Sequence, residues 1–201
     1  DIDSNDRLDF SSGTASLSEG TYYLKDLTVP QGKTLELDTN GQTVKIGVRD
    51  YVSFERDSDV DIEDSGRVKI FVQGQDTTGG YHFKMQKDAE VDTPGPAQNS
   101  SQLWVYGKSD LQGTFSASGL GNELEFQGVI YAPAGSSGTS EVTVDSHVYG
   151  GLVAGQVTVN TGGAVHYDEA LAEERVIPKD TKVVKITYLH ISVNRIDIAG
   201  A

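Results

Sequence analysis

The chain has 201 residues, 30 acidic against 16 basic side chains for a formal charge of −14, 23 Gly, 5 Pro and no Cys. That balance argues against a nucleic-acid surface or contact with anionic lipid, since both need clustered Lys and Arg. The lack of Cys excludes disulfides, thiol catalysis and Cys-based zinc sites, and no run of about 18 apolar residues is present to span a bilayer.

Residues 1–20 are polar and read as an N-terminal lead-in or cap. The first five residues contain no Met, no basic region and no apolar core of a signal sequence. The segment therefore reads as a processed ectodomain whose anchor lies N-terminal to it.

From residue 21 a solenoid is expected. Leu27-Thr28-Val29, Leu35-Glu36-Leu37, Val44-Lys45-Ile46, Val52-Ser53-Phe54, Val60-Asp61-Ile62 and Val68-Lys69-Ile70 follow one another in steps of eight or nine residues. Each is apolar-polar-apolar, the period-2 signature of a half-buried strand. Strands this short pair poorly as hairpins but stack well between coils whose corners are turned by Gly, Asn or Asp. Asn40-Gly41 and Asp64-Ser65-Gly66 supply such corners, because Gly and Asn adopt positive φ at little cost. A barrel or sandwich could share this spacing.

Residues 73–101 are turn-rich and are expected to form a loop excursion from the solenoid wall. Asn99-Ser100-Ser101 is an N-glycosylation sequon, so Asn99 is a candidate modification site. Winding resumes at Leu103-Trp104-Val105-Tyr106 and continues through Phe115 and Leu124-Glu125-Phe126.

Residues 128–171 carry internal repeats. Val142-Thr143-Val144 returns as Val157-Thr158-Val159, 15 residues later, and Gly128-Val129-Ile130-Tyr131 is echoed from Gly151. His147-Val148-Tyr149 has its counterpart in Val165-His166-Tyr167. Such self-similarity points to a wound chain. A short helix is expected over 168–175 with Asp168 as its N-cap, and Tyr167 and Leu171 are expected to cover the last coil. The run 183–198 reads as two strands or one bulged strand. The solenoid thus spans 21–167, and 168–201 form a C-terminal helix and β-strand cap.

Few residues suggest chemistry. His147 and His166 could stack one coil apart, with Asp145 or Asp168 as a third metal ligand, although structural histidines explain them as well. Asp57, Asp59, Asp61 and Asp64 raise a calcium reading, since 57, 59 and 61 would share one strand face; a solvated acidic face is the competing one. Trp104, Tyr106 and Tyr131 could stack on a sugar, or on one another within the wall. No Ser or Cys nucleophile motif accompanies His166-Tyr167-Asp168, so no catalytic set is assembled and no cofactor is expected. The acidic surface suits a self-repelling soluble protein or the coat of a halophilic, archaeal one.

Gly128-Val129-Ile130-Tyr131-Ala132-Pro133, Val148-Tyr149-Gly150-Gly151-Leu152-Val153 and His166-Tyr167-Asp168-Glu169-Ala170-Leu171 together resemble a domain of pilin-like surface proteins. These are the PilX-type pilus-assembly proteins of bacteria and related haloarchaeal secreted proteins. Gln102-Leu103-Trp104-Val105-Tyr106-Gly107 and the ending Ile186-Thr187-Tyr188-Leu189-His190 are similar to the same family. The resemblance is good over 102–198 and general over 1–101. It implies a β-solenoid ectodomain behind an N-terminal membrane helix, and it transfers no catalytic residue.

The expected fold is all-β, a right-handed parallel β-helix with a short C-terminal helix and a terminal β-strand cap. The expected function is a non-enzymatic extracellular structural or adhesive module of a pilin-like cell-surface protein. Its partners would be itself, pilus or other surface proteins, or a glycan, with no nucleic acid and no membrane contact from this segment. Two alternatives remain open: a carbohydrate-binding or carbohydrate-cleaving β-helix, and a self-polymerising bactofilin-like scaffold.

Overall fold

A computed structural model describes residues 2–93, 99–115, 125–135, 139–169 and 171. Among them the chain is almost wholly β, with no α-helix, and every ladder between strands is parallel. The strands fall into successive circuits. The first comprises β1 (Thr14–Leu17), β2 (Gly20–Leu24) and β3 (Leu27–Val29). The second holds β4 (Thr34–Asp38), β5 (Thr43–Val48) and β6 (Val52–Phe54). The third holds β7 (Asp59–Glu63), β8 (Arg67–Val72) and β9 (Phe83–Met85). The fourth holds β10 (Glu90–Asp92), β11 (Leu103–Gly107) and β12 (Gln112–Phe115). In the fifth and sixth, one long strand replaces the first two: β13 (Glu125–Ala132) with β14 (Glu141–Val144), and β15 (His147–Ala154) with β16 (Gln156–Val159). The last strand is β17 (Ala164–Tyr167).

Each strand pairs with its equivalent one circuit away. A first ladder runs β1-β4-β7-β10-β13-β15-β17, a second β2-β5-β8-β11-β13-β15 and a third β3-β6-β9-β12-β14-β16. Parallel neighbours need a crossover, and here the other two sides of the circuit provide it. The result is a solenoid-like stack. All six runs read from the sequence between Leu27 and Ile70 lie in β3 to β8. The eight-to-nine-residue step is therefore the distance from one ladder to the next, and three steps make one circuit.

The inward positions form continuous apolar columns. Leu35, Val60, Val91, Phe126 and Val148 follow one another on the first ladder, and Ile46, Ile70, Val105 and Ile130 on the second. All are buried. Stacking of this kind lets each circuit cover its neighbour's open side. Four phenylalanines meet in the interior. Phe83 lies 5.9 Å from Phe54, 5.5 Å from Phe115 and 5.9 Å from Phe126, and Phe115 and Phe126 are 5.0 Å apart.

The structure corrects two boundaries. Residues 73–101 are not simply a loop excursion, because they contain β9 and β10 and bury Phe83, Met85, Ala89 and Val91. Turn-forming residues swell the corner before β9, yet Phe83-Lys84-Met85 keeps the apolar-polar-apolar rung. Winding also begins before residue 21: β1 pairs with β4 and buries Ala15 and Leu17. The lead-in proper is shorter, closed by a bridge between Ile2 and Leu8.

The repeats near the C-terminal end are register relationships. Val142-Thr143-Val144 lies directly against Val157-Thr158-Val159, as the 15-residue offset predicts. The echo of Gly128 is displaced by one, since Gly128 pairs with Gly150 and Val129 with Gly151. At this point β13 and β15 bend from the first ladder to the second without a turn. Gly150 has φ +135, and a Cβ there would collide with the Gly128 carbonyl, so only glycine fits.

Tyr167 does not cover the last coil; it is exposed, as are Val157, Val159 and Val165 on the end rungs. The Asp168 carboxylate accepts the Ser100 amide at 2.8 Å, tying the end of β17 to the segment after residue 98. Of the expected helix, only 168, 169 and 171 are described, where the Leu171 amide donates to the Asp168 carbonyl at 3.0 Å. The remainder of that helix and the strands expected over 183–198 lie outside the described residues.

Candidate functional site

Strand alternation sends every second side chain of the second ladder outward. The register therefore builds an outer column from Tyr23, Gly47, Phe71, Tyr106, Tyr131 and Val153, one residue per circuit. A parallel column contains Thr21, Lys45, Lys69, Trp104 and Val129. The three aromatic residues singled out from the sequence, Trp104, Tyr106 and Tyr131, are thus brought together on one face.

Their availability differs from the expectation. Phe71 stacks on Tyr106 with centroids 5.0 Å apart and planes 11° apart, and Trp104 stacks on Tyr106 at 5.9 Å and 19°. Tyr131 meets Tyr106 edge-on at 6.2 Å. Trp104 is only 4% exposed, and its indole N–H donates to the Ser101 carbonyl at 2.9 Å. Rings that lie flat on one another present edges to solvent, so Trp104 and Tyr106 offer no free platform for a sugar.

Two residues missed in the sequence hold the open end of this column. Tyr23 is 78% exposed and Phe71 41%. Between them stands Gly47, the one rung of the described column without a side chain. Tyr23 leans into that gap: a Cβ on Gly47 would lie 3.0 Å from Tyr23 Cδ1 and 3.4 Å from Cε1. Phe71 has one face on Tyr106 and its other toward the Gly47 rung. Lys45 and Lys69 flank the gap in the neighbouring column.

The first ladder presents the opposite charge. Glu36, Asp61 and Asp92 form one outward column, with Asp59 and Glu90 beside it. Burial, then the nearby Asp92 and Asp57 carboxylates, push the Asp59 carboxyl above the ordinary range. Burial, then Asp59 and other acidic neighbours, do the same to Asp61.

The acids of the calcium reading are divided differently from the expectation. Asp59 and Asp61 face outward on β7, whereas Asp57 and Asp64 sit in corners with φ of 55° and 65°. The Asp57 carboxylate accepts from Gln31 and Arg56 instead of sharing the strand face. Among the described residues no three His, Asp or Glu side chains converge as metal ligands.

His147 and His166 come together, with ring centroids 5.1 Å apart. The residue in register with His166 is Tyr149, stacked flat at 4.6 Å and 14°. Asp145 accepts from the Asn160 side chain and Asp168 from Ser100, so both carboxylates already serve the fold. His82 is also structural: its Nδ1 accepts the Gln112 amide at 3.0 Å, and burial lowers its pKa. His190 lies outside the described residues. At the sequon, the Asn99 side-chain oxygen accepts both the amide and the hydroxyl of Ser101, at 3.1 and 2.7 Å.

With this geometry in place, comparison with known proteins gives one positive result. Residues 1–174 match the family described as "Domain of unknown function (DUF7305)", and the chain belongs to that family. No curated protein and no solved structure matched the chain.

Proposed function

We propose that the protein is a non-enzymatic, extracellular, structural and adhesive β-solenoid module of a pilin-like cell-surface protein. The observation that carries this reading is the outer column of Tyr23, Phe71, Tyr106 and Tyr131, an apolar ridge along the stack on an otherwise acidic molecule. Exposed contiguous apolar surface of this kind marks contact sites, and a rigid stack of parallel rungs suits display of such a ridge. The sequence resemblance to pilin-like proteins supports the surface assignment. The winding is taken as right-handed because parallel crossovers almost always are, and residues 168–201 as the cap over the exposed Val157, Val159 and Val165.

The test is to express the full-length precursor in its host and shave intact cells with protease. The reading predicts loss of the domain from intact cells and weaker cell attachment when Phe71 and Tyr23 are replaced by Ser. A domain protected until lysis would overturn the surface assignment, and release of reducing sugar from polysaccharides would overturn the non-enzymatic one.

A second reading, end-to-end polymerisation, is favoured by the same end rung, where Val159 is 48% exposed although its register partner Val144 is fully buried. Unpaired strand edges with apolar side chains invite addition of another chain. Filaments of the isolated protein in negative stain would support it, and a monomer at high concentration in both low and molar salt would exclude it.

A further inference from the structure

The last two rungs of the first ladder bring two imidazoles to one spot on the outer wall. His147 opens β15, and His166 on β17 lies diagonally across the register from it, since His147 pairs with Ala164 and Tyr149 with His166. Their ring centroids are 5.1 Å apart and their planes are tilted by 53°. Two imidazoles on one tetrahedral zinc ion, each with a Zn–N bond of about 2.0–2.1 Å, hold their centroids roughly 5 Å apart. The pair therefore already has the spacing of rings that share an ion. The tilt excludes a face-to-face stack, which would aim the nitrogens past one another.

The ring nitrogens are available. Among the described residues none of the four has a hydrogen-bond partner, whereas His82 commits its Nδ1 to the Gln112 amide. His147 is half-buried and His166 exposed, so solvent reaches both. Tyr149 lies flat on His166 at 4.6 Å and 14°, which fixes the plane of that ring. A half-turn about χ2 keeps this plane and exchanges the ring edges, so a nitrogen of His166 can face His147 without loss of the stack.

The surroundings favour a cation. His147 continues the outer column that carries Asp59 and Glu90, on a chain of charge −14. Among the described residues no carboxylate joins the two rings as a third ligand. Imidazole without carboxylate suits zinc, copper or nickel, and not calcium or magnesium.

We propose that His147 and His166 chelate one divalent transition-metal ion, represented by zinc, through one ring nitrogen each, with water in the remaining positions. The site lies apart from the aromatic ridge and does not rest on the adhesive reading. Protease shaving tests that reading and metal binding tests this one, so either can fail without the other.

The experiment is calorimetric titration of the isolated protein with zinc chloride, with the histidine ring signals followed by NMR. One equivalent should bind in the micromolar range, shift the ring signals of His147 and His166, and leave those of His82 unmoved. Zinc should also raise the melting temperature in a concentration-dependent way, reversed by a chelator, and magnesium should not compete. H147Q and H166Q should each weaken binding at least about tenfold, because a chelate is reduced to a single bond. H190Q should leave it unchanged.

The ring signals of the unmodified chain identify the ligands directly, so the assignment does not depend on the variants folding. Zinc that leaves both signals unmoved, or binding unchanged in H147Q or H166Q, would overturn the proposal. So would a shift centred on His190. Dimerisation with half an equivalent of zinc per chain would overturn it as well, in favour of an ion shared between two copies.

Discussion

The Thr39 hydroxyl holds Gly66 across one circuit of the chain. Its Oγ1 donates to the Glu63 carbonyl at 2.7 Å and accepts the Gly66 amide at 3.0 Å, so one side chain satisfies two backbone groups at a corner. The amide is buried and has no room for a side chain beside it: a Cβ on Gly66 would collide with the Gln42 carbonyl and with Thr39. Thr39→Val, which keeps the shape and removes the oxygen, should cost about 1–3 kcal/mol by stranding the buried amide. Gly66→Ala should cost about 2 kcal/mol or more by displacing the corner. Urea denaturation measures both, and losses within about 0.5 kcal/mol would show that the corner tolerates repacking.

Phe83 is the ring that touches three others in the interior, and it comes from the segment that looked most like a loop. Phe83→Ala should destabilise the protein by about 3–5 kcal/mol, the usual effect of emptying a packed aromatic site. Were residues 73–101 a surface excursion, the same change would be nearly silent in a thermal melt.

Asp59 and Asp61 make a contribution to stability with an unusual sign for carboxylates. Their pKa values are raised on folding, chiefly by burial and then by acidic neighbours. The folded chain therefore holds these protons more tightly than the unfolded one. Their contribution is fully present below the ordinary Asp value of 3.8 and is lost as pH rises through the raised folded values. Asp61→Asn should accordingly raise the melting temperature at neutral pH, and its advantage should shrink as pH falls through the raised folded value and be gone below 3.8. Salt should narrow the gap as well, by screening the acidic column. A variant less stable than its parent at neutral pH would show that Asp61 has a favourable role that the column geometry does not reveal.

The end rung gives a prediction about the rest of the chain. If 168–201 cap the stack, truncation after Leu171 should lower the melting temperature and increase binding of a hydrophobic dye to the exposed Val157 and Val159. A truncated chain as stable as the full one would remove the capping role.

Much of the wall was legible in the sequence, and the reasons are local. Each rung from Leu27 to Ile70 needs only three residues, and their alternation survives inspection without knowledge of the partner strand. The Val142/Val157 repeat was also legible, because a 15-residue return places identical residues on adjacent rungs. The coil at 73–101 was hidden because its two rungs are three residues each, embedded among turn formers. The Gly128 echo misled by one position because two glycines stand side by side, and only the bend at Gly150 demands one.

The outer face was harder to read for a geometric reason. Successive rungs of the first ladder begin at residues 14, 34, 59, 90, 125, 147 and 164. No fixed period connects these positions, so column membership cannot be counted along the chain. Trp104, Tyr106 and Tyr131 were visible as aromatics in strand-like runs, but their partners Tyr23, Gly47 and Phe71 acquire meaning only once register is known.

The central claim is that the described chain is one uninterrupted stack of parallel rungs, with β9 as a full member between β6 and β12. The chain has no Cys, so introduced pairs report without competition. Lys84 and Thr114 are register partners, about 4.8 Å apart at the usual strand spacing and within disulfide reach. Gln112 lies two residues off that register, roughly 8 Å from Lys84 and beyond reach. Mild oxidation should close K84C/T114C and leave K84C/Q112C open, as read by mobility on a non-reducing gel. Equal closure of both pairs, or of neither, would contradict the continuous stack.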